Sequence, residues 1–225
     1  GAALAMKARY ALYMGDYDVV VAATKAVMDL NVYSLHKDYG DLFLTTTKNA
    51  EESIFLIPRS IEYNLVMDVH GWLPRNHGGY AVPNPTWDLF ASYVCTDGLP
   101  IDESPLFDPH DPFKNRDPRL SMTIEFNPHP EALEVMNYKT GQMIKNNDTR
   151  AVAQYASYNG LVWKKGMDET CLENANKIDP DKIIMRYADV LLMYAEAKIE
   201  LNQIDQSVLD AMNEVRARAY GVDKS

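Results

Sequence analysis

Trp72, Tyr80, His70, His77, Arg75 and Asn76 all fall between positions 70 and 80, in and just before the segment GWLPRNHGGYAVPNP. Flat rings beside amide, guanidinium and imidazole groups are what a sugar receptor needs, because a sugar offers an apolar CH face to an aromatic plane and a rim of hydroxyls to hydrogen-bonding side chains. This loop is therefore the preferred ligand-binding site. The structural alternative makes Trp72 an anchor packed under a glycine-rich loop. Trp163, within Tyr158-Asn159-Gly160-Leu161-Val162-Trp163-Lys164-Lys165, is a second candidate, and the alternation around it also fits a strand residue in the core. Tyr63 and its neighbour Asn64 precede the loop and can share its face.

Other chemistries find less support. With 32 acidic residues in the chain, some pair of carboxylates is unavoidable by chance, so their number says nothing about glycoside hydrolysis. His36, His70, His77, His110 and His129 show no HExxH spacing, and no Ser or Cys has a nucleophile-elbow setting. Asp97, Asp102, Asp108 and Asp111 lack the alternation and glycine of a calcium loop. The expectation is no catalytic residue, no metal and no cofactor. Asn115, Arg116, Asp117 and Arg119 flank a proline-fixed turn and read as groups that hold the loop through backbone carbonyls and amides. Arg186, Asp189 and Glu196 read as ion pairs between helical hairpins. Trp87 shares a helical face with Phe90 and Ala91 and reads as core.

The elements that position these residues follow from pattern. The 225 residues are 47% apolar and 24% charged, which predicts one or two folded domains. A net charge of -10 argues against nucleic acid and anionic membrane surfaces, and the apolar stretches are too short to span a bilayer. Gly1 to Met6 carries no signal-peptide pattern, so the compartment stays open between the cytoplasm and a location reached after a targeting segment is removed. Cys95 and Cys171 cannot form a disulfide framework.

Leu4 to Met14 predicts a helix, with Gly15 ending it and Asp16 capping the next, which starts at Tyr17. Val19, Ala23, Ala26, Val27 and Leu30 form one face of that second helix, and Ala8, Ala11, Ala22 and Ala26 let the two helices approach closely. A similar hairpin starts at Ile183, with Tyr187, Val190, Leu191, Tyr194, Ala197 and Leu201 on one helix and Val208, Ala211, Met212, Val215 and Ala219 on the next. Both are of tetratricopeptide type. The intervening region holds most of the prolines and glycines. It predicts strands at Ser53–Ile57 and across Arg119 to Ile124, one helix over Thr86 to Tyr93, and long loops whose aromatic content argues against disorder.

Several blocks, in this order, resemble the SusD/RagB family of outer-membrane nutrient-binding lipoproteins. They are Pro85-Thr86-Trp87-Asp88-Leu89-Phe90-Ala91-Ser92-Tyr93, Thr96-Asp97-Gly98-Leu99-Pro100-Ile101, and the run from Asp108 to Leu120. Arg186 to Ala197, Asn213 to Ala219, Ala8 to Tyr17 and Glu51 to Phe55 fit as well. The resemblance implies a mostly α, SusD-like α/α fold with tetratricopeptide-like hairpins and a loop-rich central region with short strands. It implies one SusD-like domain, here an internal fragment, with hairpins at 1–50 and 183–221 and the ligand-binding region at 51–182. It further implies a non-catalytic glycan or nutrient receptor on the outer face of the outer membrane, held by a lipid anchor outside this fragment and serving a SusC-like TonB-dependent transporter. The rival reading is a tetratricopeptide-type protein-interaction scaffold with no small ligand. Exposed aromatics clustered on the loops would favour the receptor, and exposed aromatics clustered in the hairpin groove the scaffold.

Overall fold

The structure, a computed structural model, describes residues 1–126, 133–137, 141–149, 157 and 159–222; His129 and Tyr158 lie outside the described residues. In chain order the elements are α1 (Ala2–Met14), α2 (Tyr17–Met28), β1 (Ser53–Ile57), α3 (Trp87–Ser92), α4 (Pro118–Thr123), β2 (Ile124–Phe126), β3 (Glu134–Asn137), β4 (Gln142–Lys145), β5 (Leu161–Trp163), α5 (Glu169–Glu173), β6 (Lys182–Arg186), α6 (Tyr187–Glu200) and α7 (Gln206–Tyr220). The fold is mostly helical, and among the described residues every strand is five residues or shorter. Two compact units result: residues 1–59 with 180–225, and residues 60–179.

In the first unit, Gly15 adopts the left-handed conformation at φ 72°, which ends α1 and lets α2 begin two residues later. Small buried residues, Ala5 and Ala8 on α1 and Ala23 on α2, bring the pair close. The buried face of α2 is Val20, Ala23, Thr24 and Val27, rotated from the expected one, and Leu30 is exposed beyond the helix end. The second hairpin begins later than the pattern suggested: Ile183 lies in β6, and α6 starts at Tyr187. Two faces of α6 are buried. Val190, Met193 and Ala197 join α1, α2, Ile54 and Met185, while Ala188, Leu191 and Tyr194 meet Ala211 and Val215 of α7. The hairpins, distant in sequence, thus share one bundle.

Antiparallel pairing of β1 with β6 assigns residues 51–59 and 180–182 to this unit. Glu52, fully buried, precedes that pair. Its carboxylate accepts from Arg186 Nη1 at 2.8 Å, from Arg218 Nη1 at 2.6 Å and from the His36 backbone N–H at 2.8 Å. Its own carbonyl accepts the Tyr187 N–H at 2.8 Å. One side chain therefore ties the loop before β1 to the starts of α6 and the end of α7. Arg186 also faces Asp189, which pairs in turn with Arg9, so these residues are ion-paired as expected; Glu196 is exposed.

The second unit is built on two small cores. Val69, Leu73, Cys171 and Ile178 form one, and Phe90, Leu120, Ile124 and Leu161 the other. Burial raises the Cys171 thiol to about 11, so it is inert at neutral pH, and Cys95 is also buried and free. β2 pairs with β5, and β3 with β4. Arg119 to Thr123 is helical where a strand was expected, because Asp117 accepts the Arg119 N–H and Pro118 supplies the first helical φ; extended backbone starts at Ile124. Arg116, 5% exposed, donates to the carbonyls of Pro112, Phe90 and Tyr93, the loop-holding role expected of it. Trp87 departs from expectation: it is 51% exposed, because Phe90 takes the buried position on the six-residue α3. Among the described residues, no helix is long and apolar enough to cross a membrane.

Removing the Glu52 carboxylate leaves the buried Arg218 guanidinium without its acid partner and takes from half-buried Arg186 the closer of its two, Asp189 being the other. Glu52→Ala is expected to cost roughly 3–5 kcal/mol and to lower the thermal midpoint followed by circular dichroism by about 10 °C. A midpoint within 2 °C or so of the parent would show that the arginines find other partners.

Candidate functional site

The aromatic loop is anchored at its base by Val69 and Leu73, whose side chains enter the core with Cys171 and Ile178. It then folds back on itself through three bonds: the N–H of Tyr80 to the His70 carbonyl at 2.9 Å, of Ala81 to Leu73 at 2.9 Å, and of Val82 to Gly71 at 2.8 Å. Between these arms Pro74 leads into a 3-10 turn over Arg75–His77. Gly78 leaves the turn at φ 84°, and a Cβ on Gly79 would stand 2.1 Å from the Leu73 carbonyl oxygen. Glycine is required at both places by backbone geometry.

A second segment clamps the turn. Asp148, 5% exposed, accepts the backbone N–H groups of Arg75 and Asn76, both at 2.8 Å. Asn146 accepts from Asn76 Nδ2 at 2.9 Å and from the Asp148 N–H at 3.0 Å, while Asn76 Oδ1 accepts the Asn147 N–H at 2.8 Å. A buried carboxylate on two amides at the start of a helical turn satisfies donors that the turn cannot. Sequence reasoning missed this clamp. The signal was the run Asn146-Asn147-Asp148, polar residues with no evident helix to cap.

On this frame the anticipated residues fall into groups. Trp72 is half-buried against the loop-base core and meets Trp163 in a T-shaped contact, 5.3 Å between centroids and 69° between planes. Trp163, half-buried in β5, donates Nε1 to the Lys165 carbonyl at 2.6 Å. Tyr80, 45% exposed, has the Arg75 guanidinium 5.6 Å from its ring centroid and the His70 ring 6.5 Å away. His70 Nδ1 lies 3.0 Å from Asp68 Oδ1. Asn76 is tied to Asn146 and Asn147, and His77 is half-buried. Burial pushes the His77 imidazole below its ordinary range, against the opposing pull of Glu125 and Asp148. Tyr63, 72% exposed, stands on a separate turn closed by reciprocal bonds between Ser60 and Leu65. The loop therefore presents rings and hydrogen-bonding groups to solvent, with its fold secured from beneath. Among the described residues, no three His, Cys, Asp or Glu come together as a metal site would require.

The family model described as the SusD family matches residues 33–225. Among solved structures, the chain is similar to a SusD-like carbohydrate-binding protein of Bacteroides fragilis, at 31% identity and TM-score 0.82, over 100% of this chain and 44% of that one. It is similar to a second SusD-like protein of the same organism at 23% identity and TM-score 0.71, over 100% of this chain and 47% of that one. A SusD superfamily protein of Bacteroides vulgatus matches at 21% identity and TM-score 0.65, covering 99% of this chain and 43% of its own. The chain thus spans less than half the length of each. No curated protein sequence matches it.

Two outcomes follow from the clamp. Asp148→Ala strips two buried amides of their acceptor and is expected to speed amide exchange at Arg75 and Asn76 by about a hundredfold, with the helices of residues 1–59 and 180–225 unaffected. Equal protection in parent and variant would mean that the turn stands without the carboxylate. The second concerns pH. Burial makes the folded loop take up a proton on His77 less readily than the unfolded chain does, so its contribution to stability is present above about pH 6.5 and is lost as pH falls below it. The thermal midpoint should fall less between pH 7.5 and 5.5 in His77→Gln than in the parent; equal falls would place the dependence elsewhere.

Proposed function

The chain belongs to the SusD family, and on that premise we propose that it is the binding core of a non-catalytic cell-surface receptor that captures oligosaccharide and passes it to a SusC-like TonB-dependent transporter. Its place is the outer face of the outer membrane, held by a lipid anchor rather than a membrane-spanning helix. The observation that carries the reading is Tyr80: a phenol ring exposed to solvent, backed by Arg75 and flanked by His70, on a loop whose backbone is already fixed. The solved relative at 31% identity is described as a carbohydrate-binding protein, which supports the same ligand class. Trp72 and Trp163 extend the aromatic surface as a mutually braced pair. Affinity at an open platform comes from a few stacked rings and is weak per contact.

The scaffold reading keeps one observation in its favour, the exposure of Tyr10 and Tyr13 on α1. It assigns no role to Tyr80, and that separates the two.

Tyr80→Ala in the full-length protein is expected to weaken retardation in native gels containing the polysaccharide that retains the parent by about three- to tenfold. The thermal midpoint should move by no more than about 2 °C, since the ring is largely in solvent. Trp72→Ala should reduce retention as well but cost stability, because Trp72 also packs against the loop base. Undiminished retention in Tyr80→Ala would remove this loop from the binding surface.

A further inference from the structure

Of the three tryptophans, Trp72 and Trp163 are half-buried and braced against each other, whereas Trp87 is 51% exposed. Its surroundings fix it in place. Pro85 is buried and its carbonyl accepts Asn159 Nδ2 at 2.8 Å. Thr86 Oγ1 accepts the Leu89 N–H at 3.1 Å and caps α3. Phe90 is fully buried, with the Arg116 guanidinium 4.5 Å from its ring centroid. Trp87 meets that immobile ring in a T-shaped contact, 5.1 Å between centroids and 82° between planes. An indole so oriented yet half in water loses little conformational freedom when something stacks on it. Asn84, Thr86 and Asp88, its near neighbours in the chain, are exposed and supply an amide, a hydroxyl and a carboxylate.

We propose that Trp87, rimmed by Asn84, Thr86 and Asp88, is a second carbohydrate platform that takes a neutral pyranose unit. The ring provides the stacking plane and the rim the acceptors and donors for hydroxyl groups. The Asp88 carboxylate and the net charge of -10 disfavour a uronic or sulfated sugar. Trp87 lies seven positions after Tyr80, so their Cα atoms are at most about 24 Å apart, within the length of an oligosaccharide. This rests on the carbohydrate reading above and adds to it a second contact and a charge preference.

The test uses the full-length protein in native gels containing laminarin, soluble starch or polygalacturonate, with Trp87→Ala beside the parent. In parallel, oxidation of Trp87 by N-bromosuccinimide is followed by peptide mass with and without each polysaccharide. The expected result is retardation of the parent by laminarin or starch, at least about threefold weaker in Trp87→Ala, and slower oxidation of Trp87 when that polysaccharide is present. Should Trp87→Ala fail to fold, oxidation of the parent decides alone. Retardation equal in parent and variant, with Trp87 oxidised equally fast, overturns the second platform and leaves the carbohydrate reading intact. Retardation by polygalacturonate alone overturns the neutral preference and with it the proposal. A parent retarded by none of the three overturns both.

Discussion

A buried backbone N–H must find an acceptor, and in this chain the acceptor is repeatedly a carboxylate. Glu52 takes the His36 N–H, Asp148 those of Arg75 and Asn76, Asp117 that of Arg119, and Asp181 that of Arg59. Helices and ladders satisfy their own amides, but the described segments between them are long and their strands short. Without side-chain acceptors such loops would expose each donor to water and could not bury anything. In the irregular parts of the fold, carboxylates add acceptors to those that backbone carbonyls supply, several of them from segments distant in sequence.

This constraint changes the meaning of the acidic composition. A surplus of carboxylates invites a search for a catalytic pair or a cation site, yet the buried ones here are saturated by amides and guanidinium groups. Glu52 is the extreme case, accepting from two arginines and one backbone N–H while 0% exposed. Such a group is expensive to bury and worth keeping only where all of its partners are supplied at once. It joins the loop before β1 to α6 and α7, segments that hydrophobic contact alone would allow to slide. Asp148 acts likewise at smaller scale, setting the turn between Trp72 and Tyr80.

The helices were legible in the residues because a 3.6-residue period and capping residues are local signals, although the buried face of α2 is rotated from the one the period gave. Gly15 ends α1 where the pattern placed it. Errors arose where one residue decides between two local conformations. Arg119 to Thr123 alternates like a strand, but Asp117 and Pro118 start a helix. Ile183 lies on an apolar run continuous with α6, yet β1 captures it as a ladder partner. Trp87 and Phe90 lie on one helical face, and a six-residue helix has room to bury only one of them. The candidate rings were readable as types and spacing. The clamp at Asn146 and Asp148 was not, since nothing local tells an amide that its partner lies 70 residues away.

Fixing the loop from beneath also bears on how an open surface can bind at all. Ordering a flexible loop around a ligand costs on the order of 1 kcal/mol or more for each residue immobilised, which a single stacked ring would not recover. Here the backbone from Gly71 to Val82 is closed by its own bonds and by Asp148 before any ligand arrives. The rings need only lose the motion of their own side chains. A platform of this kind gains more from an additional pre-set ring than from a deeper pocket, because each extra contact along one oligosaccharide adds attraction without a further translational loss. The same logic separates the two kinds of aromatic: Trp72 and Trp163 are half-buried and braced edge to face, whereas Tyr80, beside Arg75 and open to solvent, is the ring proposed to meet a ligand.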